Sequence, residues 1–249
     1  MQQKDFWFKM TIRELKGKVN DRIPVRNILI SVFDKTGLET FVPDLIAACS
    51  NIRFMSTGGT YKKLDEMFAS SGNKDRLIEV EQYTGFPEME GGLVKTLHPK
   101  IHAGLLGERD NPTHQQYLAQ MSGVFIDMVV VNLYPFSKVV EDIAAGKIDQ
   151  KTGQPYNFET ARGNIDIGGP TMLRAGAKNF PSCAAVCDPA DYALVIKNIR
   201  GNSGQTTFSE RFRLAQKVFE TTQIYETAIF EFLKRADISG VREVYQFSE

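Results

Sequence analysis

The sequence predicts an α/β fold, a mostly parallel sheet with helices on its faces, followed by a C-terminal helical part. Two observations carry this. Apolar runs at 27–33, 52–56 and 77–80 alternate with stretches of helical spacing at 38–49 and 61–69. That strand–helix–strand–helix–strand order is the mark of right-handed crossovers in a parallel sheet. Later, 207–236 carries Phe208, Phe212, Leu214, Val218, Phe219, Ile229, Phe230 and Leu233 at helical spacing, a stripe suited to core or dimer packing.

Bulk properties bound the function. A chain of 249 residues with 42% apolar and 24% charged residues is ordinary for a globular domain, or for a domain with an appended helical part. Formal net charge is zero, which argues against nucleic acid as the main partner and leaves any anion binding to local geometry. No apolar run approaches the roughly 20 residues that span a bilayer, so no membrane association is expected. Three cysteines, Cys49, Cys183 and Cys187, are too few for a disulfide framework. The last two lie four apart on one face of an expected strand and lack a second pair to make a zinc site, so a reducing cytoplasm is the expected location. Residues 1–26 mix both charges with scattered apolar side chains and resemble no secretory signal. They are expected to form an extension before a domain over 27–249, with Phe6, Trp7 and Phe8 docking against it.

Taken in order, 27–33 reads as a buried parallel strand, apolar almost throughout. Residues 38–49 read as a helix that Pro43 shortens or kinks. Strands are expected again at 77–80, 126–131 and 182–186, and helices at 171–178, opened by Pro170 at its first position, and at 189–200. Residues 81–107 are dense in glycine, proline and polar groups, a long irregular stretch whose aromatic content argues for function rather than disorder. Residues 144–158 read as a surface excursion.

The segment around which the chain is organised is 52–60, an apolar run ending in Ser56, Thr57, Gly58, Gly59 and Thr60 before a helix. Glycines let backbone N–H groups turn toward one point, the helix start adds unpaired donors and the positive end of its dipole, and the hydroxyls face the same point. The natural guest is a phosphate. Serine, threonine and glycine also make ordinary turns and caps, and that alternative stands beside the first. In an open parallel sheet ligands bind outside the carboxyl ends of the strands. Ser31, Lys35 and Thr36 then stand beside this loop, Lys35 bringing a cation, or serving simply as a solvated turn lysine. Asn132 and Tyr134, at the end of the 126–131 strand, are placed to meet a ligand, or to make a turn and pack beneath Pro135.

Other chemistries find less support. His98 and His102 have helical metal-ligand spacing, but Pro99 argues against a helix through both, and no metal is expected. The serine-hydrolase elbow, the Rossmann glycine fingerprint and the Walker loop are not in the sequence.

Six segments coincide in one order: Ser31-Val32-Phe33-Asp34-Lys35-Thr36-Gly37, Ser56-Thr57-Gly58-Gly59-Thr60, Thr84-Gly85-Phe86-Pro87-Glu88-Met89, Val94-Lys95-Thr96-Leu97-His98-Pro99, Asn132-Leu133-Tyr134-Pro135-Phe136 and Asp166-Ile167-Gly168-Gly169. Together they resemble the IMP cyclohydrolase domain found at the amino end of bifunctional purine-biosynthesis proteins, over about 27–236. The resemblance implies a methylglyoxal-synthase-like three-layer α/β fold, a homodimer and no cofactor. It implies closure of 5-formamidoimidazole-4-carboxamide ribonucleotide to inosine monophosphate. The transformylase domain of such proteins does not follow the resemblance in this sequence, so either a stand-alone cyclohydrolase or a separated domain is expected, with association with a separate transformylase as a further expectation. The same resemblance implies Lys95 and Lys178 as cations beside the ring, Tyr134 as donor to the formyl oxygen and Asp166 as the group that orients the carboxamide or moves its proton. Thr96, Leu97, His98, Asn132, Ile167, Gly168 and Gly169 are implied to surround the base. Leu93 departs from the family pattern, which commonly has an arginine there. Two rivals remain. A phosphate-eliminating lyase of the methylglyoxal-synthase kind does not call for the Lys95 and Asn132–Tyr134 motifs. A regulatory nucleotide-binding module without catalysis would tolerate Leu93.

Overall fold

A computed structural model of the chain describes Leu15, residues 18–150 and residues 152–248. Phe6, Trp7 and Phe8, with their expected docking, and Lys151 lie outside the described residues. The first half runs β1 (Arg22–Pro24), β2 (Asn27–Val32), α1 (Leu38–Ala48), β3 (Arg53–Ser56), α2 (Gly58–Ser71), β4 (Leu77–Glu79), α3 (Val80–Thr84) and α4 (Pro99–Leu106). Then follow α5 (Pro112–Gln120), β5 (Met128–Asn132), α6 (Phe136–Ala144), α7 (Phe158–Gly163) and α8 (Gly168–Lys178). The chain continues through β6 (Ala184–Val186), α9 (Tyr192–Gly201), β7 (Gln205–Thr207), α10 (Phe208–Arg235) and α11 (Ile238–Glu243).

The central sheet has the order β4-β3-β2-β5-β6, and every pairing in it is parallel. Its strands are short and apolar on both sides because both faces are covered. Side chains alternate between two cores, as a pleated strand requires. Ile28, Ile30, Val32, Phe54, Met128, Val130 and Val186 point into one with α1, α2 and α9. Leu29, Met55, Val129, Val131 and Ala185 point into the other with α4, α8 and α10. The result is a three-layer α/β fold in which each fully buried aliphatic side chain contributes about 1.5–3 kcal/mol of transfer free energy. A third, smaller core joins Phe136, Val139, Ala161, Tyr225 and Ile229 where α10 passes α6 and α7, forming the helical part.

Several elements differ from expectation. β1 pairs antiparallel with β7 in a ribbon of its own, so part of the segment expected outside the domain is built into it. Arg211, fully buried on α10, fixes that segment by donating to the carbonyls of Asn20 and Asp21. The helix α1 runs through Pro43 without being cut short. Within 81–107, read as irregular, the chain forms α3 and α4; Pro99 opens α4 at its first position and leaves His98 outside it, so no helix runs through both His98 and His102. His98 is the residue before that helix, its ring nitrogen accepting from the Lys100 N–H at 3.1 Å. The helix α8 begins at Gly168, two residues earlier than expected, so Gly168 and Gly169 belong to its first turn.

A cleft over the carboxyl ends of the central strands

The ends of β2, β3 and β5 open into a cleft of about 560 Å³. One wall is the β3–α2 turn. Gly58 takes φ of 55°, a conformation that side chains disfavour, and the helix starts on it with Thr57 as its cap residue. The first N–H groups of a helix have no partner within it. A methyl group on Gly58 would lie 3.7 Å from Lys95 Nζ, and one on Gly59 would lie 3.7 Å from Lys35 Nζ. Two ammonium groups thus flank the positive end of the α2 dipole. The Thr57 hydroxyl, on a residue only 7% exposed, has no hydrogen-bond partner among the described residues. A buried hydroxyl left unsatisfied is costly, and an anion on this helix start would satisfy it.

The remaining hydroxyls on this wall hold loops rather than face the cleft. Thr60 Oγ1 accepts from the Val32 N–H at 3.0 Å and donates to the Val32 carbonyl at 2.9 Å. Ser56 is fully buried and donates to the Ile30 carbonyl at 2.8 Å. Asn132 is similarly engaged: its amide donates to the Asp34 carbonyl at 2.7 Å and accepts from the Asp34 N–H at 2.9 Å, pinning the β2–α1 loop that carries Lys35.

The opposite wall comes from the loop before α4 and the start of α8. Lys95 pairs there with Glu88. Thr96 is buried with its hydroxyl against Gly168, where an added methyl group would lie only 2.5 Å away. Asp166 Oδ1 accepts the Gly169 N–H at 2.9 Å, and the Asp166 N–H donates to the Tyr225 hydroxyl at 2.7 Å. Burial pushes the Asp166 carboxyl above the ordinary carboxylate value, against the opposing pull of the Gly169 and Gly168 N–H groups. The ring of Tyr134 meets Phe33 edge-on, centroids 4.4 Å apart. Phe33, Leu93 and Ile167 are more than half exposed, which gives the cleft an apolar rim above a cationic floor.

The cleft therefore brings together Ser31, Lys35, Thr57, Gly58, Gly59, Thr60, Lys95, Thr96, Leu97, Asn132, Tyr134, Asp166, Ile167, Gly168 and Gly169. Four expected contributors lie elsewhere. Ser56 is used within the sheet, and Thr36 turns its N–H to Asp34 Oδ1 at 2.9 Å. His98 caps α4 with its ring beside Phe86. Lys178 ends α8, about 15 Å along the helix from Gly168 at 1.5 Å per residue, and lines a separate groove with Leu106, Phe212 and Phe219. Helical periodicity from the Gly168–Gly169 start alone indicates that separation. Sequence reasoning gave no role to Glu88, although an acidic residue inside a glycine-rich cationic loop is itself a signal.

Chemically, the cleft offers an anion seat flanked by two ammonium groups, together with a phenol and a carboxyl that binds its proton unusually well. Residues 37–171, more than half of the chain, match the family model of the MGS-like domain. The chain belongs to the MGS-like domain family. Beyond the MGS-like domain, residues 176–248 match the family model of the AICARFT/IMPCHase bienzyme. The chain is 46% identical over 216 residues to the bifunctional purine biosynthesis protein PurH of Magnetococcus marinus, an alignment covering 87% of this chain and 37% of that protein. With PurH of Chlorobaculum parvum it shares 42% identity over 220 residues, 88% of this chain and 38% of the relative. The chain thus spans less than two-fifths of the length of these relatives. The crystal structure of ForH superposes with a TM-score of 0.64 at 27% identity, covering 84% of this chain and 98% of that one. Among the described residues no helix is long and apolar enough to cross a membrane.

Proposed function

We propose that this MGS-like domain is an IMP cyclohydrolase, closing 5-formamidoimidazole-4-carboxamide ribonucleotide to inosine monophosphate with loss of water in the cytoplasm. The observation that carries the reading is the convergence of Lys95, Tyr134 and Asp166 on a cleft whose floor is an unoccupied-donor anion seat at Thr57–Gly59. The 5′-phosphate takes that seat, with Lys35 beside it. The heterocycle then lies toward the α8 start. An amide nitrogen is a poor nucleophile, so the site must accept its proton and stabilise the oxygen that becomes negative. Asp166 takes the carboxamide proton as the nitrogen attacks the formyl carbon. Tyr134 donates to the formyl oxygen, and Lys95, beside the phosphate seat, supplies positive charge that the phosphate and the developing oxyanion share. The alkoxide formed takes a proton from Tyr134, the hydroxyl leaves the tetrahedral carbon as water with the proton that Asp166 had taken, and the formamide N–H proton released as the ring C=N bond forms restores Tyr134. Holding both reacting groups of one substrate in contact supplies much of the acceleration. Lys178 has no part in this scheme within one protomer. No metal or organic cofactor enters it.

Pairing of two copies belongs to the same reading, through apolar side chains that α10 leaves exposed, Phe212, Phe219 and Ile224 among them. So does association with a separate transformylase. The test is ultraviolet detection of ring closure by the purified chain. Lys95→Ala and Asp166→Ala are expected to leave folding intact and remove most turnover; wild-type rates in both would refute the assignment. One observation favours a second reading, nucleotide binding without turnover: Lys95 is already neutralised by Glu88. Tight binding of inosine monophosphate with no ring closure would select it.

A further inference from the structure

Two carboxylates line the cleft, and they are held differently. Asp166 is tied to the start of its own helix through the Gly169 N–H. Glu88 instead reaches into the cationic floor and pairs with Lys95, seven residues further along the same loop. The pairing is sheltered, with the Lys95 side chain 14% exposed and that of Glu88 33%. Lys95 holds the Glu88 carboxyl below the ordinary carboxylate value, so it is charged at neutral pH. The intervening chain turns back on itself through Gly91 and Gly92 at φ of 80° and 78°, and through Val94 at φ of 55°. A β-branched residue in that region is strained, and the strain persists only where the surroundings enforce it. The Glu88–Lys95 pair joins the two arms of this turn, beside the Gly92 N–H that donates to the Met89 carbonyl at 3.0 Å. An anion seated on Gly58 and Gly59 would face Lys95 and, through it, a negative charge.

We propose that Glu88 is a positioning residue that acts through Lys95, standing in for the ligand's anion while the cleft is empty and competing with it for the ammonium. An incoming phosphate monoester takes Lys95 over, and Glu88 moves out toward solvent. The proposal rests on the anion seat of the proposed function, but not on the ring closure.

The test compares wild type, Glu88→Gln and Glu88→Asp by calorimetric titration with inorganic phosphate, inosine monophosphate and inosine at neutral pH. Glu88 lies on an exposed loop, so the variants are expected to fold. Loss of the competing charge in Glu88→Gln should tighten phosphate and inosine monophosphate about three- to tenfold, leaving inosine unchanged, as removal of a partly exposed ionic competitor would. Glu88→Asp, which keeps the charge, should bind as wild type does. In turnover, Glu88→Gln should lower KM with little change in kcat, a split that a merely structural role would not produce. Unchanged or weaker anion binding in Glu88→Gln overturns the proposal, as does an equal gain for inosine or no phosphate binding in any form. If phosphate tightens but inosine monophosphate binds no better than phosphate, the ring-closure reading fails and this one stands.

Discussion

The hydroxyl of Thr60 makes both hydrogen bonds that the backbone of Val32 offers, accepting its N–H at 3.0 Å and donating to its carbonyl at 2.9 Å. Val32 is the last residue of β2, and Thr60 lies in the first turn of α2. One buried side chain thereby fixes the distance between the loop that carries Lys35 and the helix start that carries Thr57, Gly58 and Gly59.

Replacing it tests that coupling. Thr60→Val keeps the shape and leaves both Val32 groups buried without partners. A loss of about 1–3 kcal/mol in unfolding free energy is expected, read from urea denaturation. Thr60→Ser keeps the hydroxyl and should recover most of it. Phosphate affinity should fall in Thr60→Val and return in Thr60→Ser, because the two halves of the seat move apart only in the first.

Gly169 sits against the carboxyl it orients. A methyl group there would lie 2.2 Å from Asp166 Oδ2 and 2.8 Å from Leu133 Cδ2. Gly169→Ala must therefore push Asp166 aside, and a displacement of about 1 Å at a reacting group costs on the order of a hundredfold in rate. Steady-state kinetics should show kcat falling by about that factor while circular dichroism stays that of the wild type.

Much of this was legible in the sequence, and the reasons differ by element. The strands of the sheet declared themselves because both faces are covered, so 27–33 and 126–131 are apolar at nearly every position. The start of α2 was legible because glycines next to hydroxyls have few other uses. What a hydroxyl bonds to was not: Ser56 and Thr60 read as ligand donors, yet each completes the backbone of a neighbouring strand 26 or 28 residues away. The same holds for Asn132, whose partner Asp34 is 98 residues distant. Short helices such as α5 and α7 were hidden because tertiary contacts and side-chain caps, Asn111 and Asn157, make them rather than a long apolar stripe. Lys178, implied by the family motif, stands at the far end of α8 from Asp166, a separation that the helix spacing of the two positions already indicates.

The acid limb of the rate profile should report Asp166. Its folded pKa is raised by burial above the model-peptide value of 3.8, so the pH at which it gains its proton is higher than for an exposed aspartate. If the ionised form takes the carboxamide proton, kcat should decline on acidification at a pH above the ordinary carboxylate range, and Asp166→Asn should abolish the reaction. The stability sign is fixed too. A carboxyl with a raised folded pKa costs stability as pH rises past its unfolded value, and that cost persists at neutral pH. Asp166→Asn should therefore be at least as stable as wild type near pH 7, with an unfolding midpoint in urea that does not decrease.

Arg211 provides the contrasting case, a charged group that supports the fold without touching the cleft. It is completely buried and donates to the carbonyls of Asn20, Asp21, Phe180, Pro181 and Thr206 and to the Thr206 hydroxyl, at 2.8–3.3 Å. Burial pulls its pKa down to about 10, which still leaves it charged at neutral pH. The charge is satisfied by oriented carbonyl dipoles from three separate stretches of chain: the entry to β1, the approach to β6 and the end of β7. Removing the guanidinium leaves these acceptors unpaired together, and Lys cannot reach them because its donors lie on one atom rather than a planar fork. Arg211→Met and Arg211→Lys should each lower the unfolding free energy by about 3 kcal/mol or more, since several buried acceptors lose their partner at once. Amide exchange should rise first at β1 and β7, which among the described residues form a two-stranded ribbon of their own. Turnover per folded molecule should stay near that of the wild type, because the cleft is framed by β2, β3, β5 and α8 and not by that ribbon.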